Sequence, residues 1–289
     1  MTSRQLGIVY GLLAAAIWGG MYVVSDVVLR VIPPFTLLTM RLLLGILVLA
    51  LILYARKPAG LPKNARALLG VGFLGFGVSV GLQFVGTDLS TAVNGALITS
   101  AAPAFILVFA ALLMRERMTL RRVIAVALAS IGVLLIIDLS QADFSSALFL
   151  GNAALAGAAL TWGLYSVLVR RVSATADTLV VTLIAFCGGL LLTIPLALIE
   201  LQSRPIGIID VPVLLGILYL GIVSTAGAMW LWNRAFALID AGTASLTFFA
   251  QPLVGAVLGA AVLGQALTGA AALGGLLIAA GVLLAMRRG

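Results

Sequence analysis

The sequence predicts an all-α integral membrane protein with ten transmembrane helices in two inverted five-helix repeats. Three observations lead there: the composition, the spacing of the charge-free stretches, and a phrase written twice. Of 289 residues, 63% are hydrophobic and 9% charged, with a mean hydropathy of +1.26. Soluble domains carry about 25% charged residues. With 17 basic and 9 acidic side chains, a chain of this length cannot make a water-facing surface, so its solvent is mostly lipid.

A hydrocarbon core of ~30 Å takes about 20 helical residues at ~1.5 Å each. Charge-poor runs of that order occupy 8–29, 35–55, 67–87, 92–114 and 120–137 in the first half, the fifth being the shortest. The second half supplies 148–169, 178–199, 212–233, 242–263 and 268–286. A spanning backbone must satisfy its polar groups within helices or a closed barrel, and runs this continuous are not barrel strands. The first run exceeds a signal core and has no small-residue cleavage site after it, so it is expected to stay as a span.

Charge placement predicts orientation. Arg4, Arg56, Lys57, Lys63, Arg66, Arg115, Arg117, Arg121, Arg122, Arg170, Arg171, Arg234, Arg287 and Arg288 fall on one side of the alternating spans. Only Arg30 and Arg204 fall on the other. Loops rich in Lys and Arg stay in the cytoplasm, which places both termini there and makes the span count even. The net charge of +8 therefore reads as a topology signal and not as a nucleic-acid footprint.

The chain also repeats itself. "AAAIWGGMYVVSD" carries Trp18 and Tyr22, and "AALTWGLYSVLVRR" carries Trp162 and Tyr165 half a protein later. Aligning Pro103 with Pro252 without a gap puts Thr119 on Thr268, Gly132-Val133-Leu134-Leu135 on Gly281-Val282-Leu283-Leu284, and Thr91 on Asp240. The halves are 1–140 and 141–289. Because five spans is an odd number, the second half enters from the opposite side, and inverted repeats of this kind are a transporter device.

With these residues in view, the chain resembles the EamA-type ten-helix transporters of the drug/metabolite transporter superfamily. "AAAIWGGMYVV", "RLLLGIL" with Arg41, "SAAPAFILVFAALLMRERMTLRR" and "AQPLVGAVLGAAVLGQALTG" carry the resemblance along the whole chain. It is most like the bacterial aromatic amino acid exporters within that family. Members usually close helix nine with an acidic residue, as Glu116 closes helix four; here that position is Gln265. The resemblance implies export of small metabolites by alternating access across a bacterial inner membrane.

The residues themselves suggest where a cargo would sit. Trp18 and Trp162 are expected near mid-membrane, away from the interfaces that tryptophan favours, and Tyr22 and Tyr165 share their helix faces. Ser79 and Gln83 share a face of helix three. Thr99 and Ser100 precede a kink at Pro103, while Phe248, Phe249 and Gln251 precede a matching kink at Pro252. Together these side chains form a polar and aromatic cavity lining suited to neutral or aromatic amino acids. A multidrug or other metabolite exporter of the same fold, or a passive facilitator, are the alternatives. Of Trp230 and Trp232, nearer the cytoplasm, one is expected to be an interface anchor.

Arg41 is the single basic residue well inside a span, and an unpaired charge there costs ~2.5–3.5 kcal/mol or more. Asp26 is its expected ion-pair partner; a substrate carboxylate is the alternative. No acidic residue lies near the midplane to relay protons. "GVSVG" at 77–81 mimics a hydrolase elbow, but there is no histidine in the chain to serve it. Cys187 is the lone thiol, so an intrachain disulfide is impossible. No cofactor, metal or enzymatic activity is expected. The expected partners are a small-molecule substrate and the lipid bilayer, without nucleic acid and with a homodimer left open.

Overall fold

Long apolar runs without turn signals become helices, and many of their starts carry a capping side chain supplied by the sequence. The computed structural model describes residues 1–56, 62–137, 143–173, 176–263 and 269–286. They form α1 (Ser3–Gly19), α2 (Met21–Leu29), α3 (Pro34–Arg56), α4 (Ala65–Gly72), α5 (Val80–Leu89), α6 (Ala92–Thr99), α7 (Ala102–Met114), α8 (Leu120–Ile136), α9 (Phe149–Ser173) and α10 (Thr178–Ser203). After these come α11 (Val211–Leu218), α12 (Ala228–Leu238), α13 (Ala241–Thr247), α14 (Ala250–Leu263) and α15 (Gly269–Met286). Two π-helical stretches, Phe73–Ser79 and Tyr219–Gly227, join α4 to α5 and α11 to α12. No strand occurs among the described residues. Gln265, Thr268, Lys57, Arg287 and Arg288, and the side chain of Tyr22, lie outside the described residues.

Thr2, Thr91, Thr119, Asp177, Asp210 and Asp240 each accept a backbone N–H of the helix they precede. Caps of this type stabilise a helix by about 1 kcal/mol each. Thr91 and Asp240, which the internal alignment superposes, cap α6 and α13 in the same way. The helices are interrupted just before Pro103 and Pro252, where kinks are expected. The breaks fall just before them, at Ser100–Ala101 and Phe248–Phe249, and each proline sits in the first turn of the next helix, where its missing N–H leaves no intrahelical bond unmade. The proline inside a helix is Pro195 in α10.

Among the described residues six helical stretches are long and apolar enough to cross a membrane: Pro34–Arg56, Ala65–Leu89, Val93–Met114, Ser146–Val172, Thr178–Ser203 and Val211–Leu238. A bent pair, α1 with Val23–Leu29 at 44°, makes a seventh if it is one span, and Ala272–Leu284 is a shorter apolar helix. Polar contacts tie the helix ends into two groups. At one end Asn64 donates to the Val172 carbonyl, Arg170 pairs with Glu116, Arg122 pairs with Asp240, and Arg234 reaches Thr178. At the other, Arg204 pairs with Asp88 and donates to the Leu29 carbonyl. There too the Glu200 carboxylate accepts the Phe35 and Thr36 N–H groups, and Asn94 joins Ser90, Asp143 and Asn152. Arg4, Arg56, Lys63, Arg66, Arg115, Arg117, Arg121 and Arg171 lie on the helix ends and connections of the first group, hereafter the basic end.

Glycine sets how closely the helices cross. A Cβ on Gly72 would overlap the Ala185 carbonyl oxygen, and one on Gly188 would overlap that of Leu69, so α4 and α10 touch backbone to backbone on both sides. At the α8–α15 crossing, a Cβ on Gly132 would stand 2.6 Å from Gly274 O and one on Gly281 2.6 Å from Ala125 O. Such contacts supply the van der Waals packing that replaces the hydrophobic effect between helices in lipid. Gly72→Leu should therefore lower the melting temperature of the detergent-solubilised protein by several degrees, because neither backbone can yield, an overpacking cost of about 1–3 kcal/mol. Gly70→Ala, with open space around the added methyl, should leave the melting temperature unchanged or raise it slightly.

Candidate functional site

The site begins with backbone geometry. A π-helical turn passes hydrogen bonds to the fifth residue and leaves carbonyls free for other donors. In the Tyr219–Gly227 stretch the Leu220 carbonyl accepts Thr225 Oγ1 at 2.6 Å and Arg41 Nε at 3.2 Å. Thr225 Oγ1 also accepts Arg41 Nε, at 3.0 Å. The Ser224 carbonyl accepts Trp18 Nε1 at 3.0 Å. In the matching stretch before α5, Ser79 Oγ donates to the Ala158 carbonyl at 2.9 Å. The Tyr219–Gly227 stretch thus holds side chains of α1 and α3, and the Phe73–Ser79 stretch bonds through its own Ser79 to the backbone of α9, in both cases deep in an apolar bundle.

Around these anchors lies a cavity, with about 460 Å³ of empty space counting what opens to its surroundings, walled by Trp18, Met21, Arg41, Ser79, Val80, Gln83, Thr99, Ala102, Ala158, Ala159, Trp162, Met229, Phe248 and Gln251. Three of its polar atoms are buried without a hydrogen-bond partner among the described residues: Arg41 Nη1, Trp162 Nε1 and Gln251 Oε1. Buried polar atoms are normally satisfied, so three unsatisfied ones facing one cavity mark a place built to receive polar groups. Among the described residues no carboxylate lines the wall. Arg41, Gln83 and Thr99 each stand about two turns from the end opposite the basic one, while Trp18, Ser79 and Gln251 lie deeper.

Of the residues singled out from sequence, the structure brings Trp18, Ser79, Gln83, Thr99, Trp162, Phe248 and Gln251 to the cavity wall. Three others stand elsewhere. Tyr165 is fully buried beside Trp162, ring centroids 4.9 Å apart, and donates its hydroxyl to Asn233 Oδ1 at 2.9 Å. Ser100 donates to the Leu97 carbonyl, back-bonding within its own segment. Phe249 packs in a separate apolar cluster with Leu107, Ala125, Val133 and Ile278.

The expected Asp26–Arg41 ion pair is not formed. Asp26 pairs at 2.6 Å with Arg30, one turn later on the same helix and exposed. Arg41 is 1% exposed and turns the other way, onto the Tyr219–Gly227 stretch, with Nη2 3.9 Å from Met21 Sδ and its guanidinium carbon 4.8 Å from the centre of the Phe84 ring. Asp26 is met by Arg30 four residues on, while the Leu220 carbonyl and Thr225 hydroxyl accept from Arg41. Met21 and Met229 are wall residues that the sequence does not mark out.

Toward the basic end the cavity is bordered by rings. Trp18, Trp162, Trp232 and Phe248 lie with centroids 5.4–6.2 Å apart, Trp18 edge-on to Trp162 at 82°. Trp232 is fully buried and donates to Ser166 Oγ, whereas Trp230 is half-buried against Tyr10. Beyond the rings runs a polar chain from Tyr165 through Asn233 to Thr182 Oγ1 and the Thr178 carbonyl. The Glu116 carboxylate then closes the end, accepting from Arg170, Arg122 and the Ala241 and Gly242 N–H groups at the start of α13.

A bundle of long apolar helices around an internal cavity with a polar and aromatic wall is the architecture of a multi-pass membrane protein. The chain belongs to the EamA-like transporter family, whose profile matches it twice, over residues 5–138 and 149–287. The uncharacterized transporter YyaM of Bacillus subtilis is 30% identical over 79% of this chain and 75% of its own. A protein of Salmonella typhimurium named "Probable amino-acid metabolite efflux pump" is 26% identical over 98% and 95%. A solved crystal structure, 23% identical, superposes with a TM-score of 0.81 over 97% of this chain and 96% of the other, the same fold.

Tyr165→Phe should leave the cavity wall intact and remove one donor from buried Asn233. The expected result is a loss of about 1–3 kcal/mol in stability, read as a lower melting temperature, with ligand preference unchanged. A changed preference would place Tyr165 in the wall.

Proposed function

We infer that the protein exports small metabolites by alternating access, and that neutral amino acids with aromatic or bulky apolar side chains are its main cargo. The observation that carries this is the closed-ended cavity. Elements of both halves contribute to its wall, three unsatisfied polar atoms face it, and aromatic rings occupy its deep side. Rings supply about 0.5–1.5 kcal/mol per contact to an aromatic cargo. A wall free of carboxylates disfavours cationic drugs, which gives amino acids the advantage over a multidrug reading. The name of the Salmonella typhimurium relative, an amino-acid metabolite efflux pump, points the same way.

Alternating access here rests on ten spans in two inverted halves, 1–140 and 141–289. The double family match supports the duplication, as do the π-helical stretches at comparable places in both halves and the shared capping by Thr91 and Asp240. With the basic end in the cytoplasm of a bacterial cell, the ring cluster and the Glu116 network form the closed inner gate. A reporter inserted beside Lys63 should then read cytoplasmic and one beside Asp143 external; the reverse pattern would refute the orientation.

Transport is tested with purified protein in liposomes loaded with unlabelled amino acid. Saturable counterflow of phenylalanine with trans-stimulation is expected, whereas a facilitator pore would show neither saturation nor trans-stimulation. Trp18→Ala and Trp162→Ala should each reduce phenylalanine counterflow several-fold more than threonine counterflow. Equal losses at normal membrane levels would assign the two rings to helix packing alone.

A further inference from the structure

The geometry points to Arg41 Nη1 as the anchor for a carboxylate, so that the cargo is a monocarboxylate with an apolar or aromatic body and its amino group is secondary. This deepens the exporter reading and rests on it. Arg41 lines the cavity, yet it belongs to none of the five ion pairs among the described residues. Its guanidinium is held by neutral groups on one edge: Nε by Leu220 O and Thr225 Oγ1, and Nη2 beside Met21 Sδ, with Phe84 close by. Those contacts fix the plane of the group and leave Nη1 buried with no acceptor. A cation at this depth is tolerated only beside a counter-charge or water.

The surroundings choose the ligand. Every acidic residue in an ion pair is bonded at one or the other end of the bundle: Asp26 to Arg30, Asp88 to Arg204, Glu116 to Arg122 and Arg170, and Asp240 to Arg122. Glu200 accepts the N–H groups at the start of α3. None of these carboxylates lines the cavity, so among the described residues the wall carries one formal positive charge, to which an anionic cargo would be the counter-charge. A second orphan donor, Trp162 Nε1, serves the same kind of ligand, an acceptor-rich anionic group. The orphan acceptor is Gln251 Oε1, a neutral amide oxygen suited to an N–H or O–H of the cargo. Hydrogen bonds to a charged group are roughly twice as strong as neutral ones. The carboxylate therefore dominates recognition and the amine adds less. A phosphate ester would bring two charges to one guanidinium, with no further basic side chain in the wall to meet the second.

The test compares four probes that share one ring: phenylalanine, 3-phenylpropionate, phenethylamine and phenylalaninamide. Each is measured as a competitor in phenylalanine counterflow and, separately, as a thermal-shift ligand of the protein in detergent. Phenylalanine and 3-phenylpropionate should compete within about tenfold of each other, whereas phenethylamine and phenylalaninamide should be weaker by at least tenfold, a difference of about 1.4 kcal/mol. Arg41→Gln should collapse the acid-over-amide preference to within about twofold, and Arg41→Lys should retain part of it. If Arg41→Gln does not fold, the probe series on the unaltered protein decides. Equal competition by the amine or the amide, or an unchanged preference in Arg41→Gln, would overturn the carboxylate anchor while leaving the exporter reading intact. Arg41-dependent binding of the acids without counterflow would keep the anchor and remove the exporter. No binding and no transport of any probe would remove both.

Discussion

A backbone carbonyl released inside an apolar bundle has no water to turn to, so some donor from the protein must meet it. The site of this transporter is organised by that constraint. Where α11 passes into a π-helical stretch, the Leu220 and Ser224 carbonyls are met by Arg41 from α3 and Trp18 from α1. Two residues that look misplaced in a membrane span, a guanidinium and a mid-depth indole, are thereby fixed in the wall of one cavity. Loss of regular helix geometry and loss of water are coupled here, and the same bonds answer both.

Charge follows a complementary rule. Acidic groups are kept at the two ends, where they bind arginines or cap helices: Glu116 at the start of α13, Glu200 at the start of α3. Placing a carboxylate at a helix N-terminus satisfies exposed N–H groups and favours the helix dipole. The result is a pair of polar seals with an apolar middle that contains one cation. Rings from α1, α9, α12 and the α13–α14 junction pack together between the polar groups of the cavity and the Glu116 network at the basic end.

Much of the fold was legible because lipid imposes a simple length rule on apolar runs, and the expected span limits lie close to the observed helix ends from α3 through α12. The cavity was partly legible. Trp18, Trp162, Ser79, Gln83, Thr99, Phe248 and Gln251 were conspicuous because polar or large aromatic side chains at mid-span need a reason to be there, and all seven reach the wall. Met21 and Met229 were not, since methionine in an apolar helix carries no signal of its own. Tyr165 misleads for a different reason: its helix face is right, but its hydroxyl finds Asn233 behind the wall.

Composition, apolar run lengths and the positions of arginine determine on their own that this chain is a helical membrane protein, because they depend only on transfer of side chains between water and lipid. Which polar group meets which is settled by tertiary structure alone. Asp26 and Arg41 looked like partners because both lie in the outer half of adjacent helices, at similar distances from the "RVIPPF" turn. Helix rotation and the freed carbonyls of the Tyr219–Gly227 stretch instead turn Arg41 inward and leave Asp26 to Arg30. A hydrogen bond needs an atom within about 3 Å in a given direction, and no periodicity in a sequence carries that information between helices.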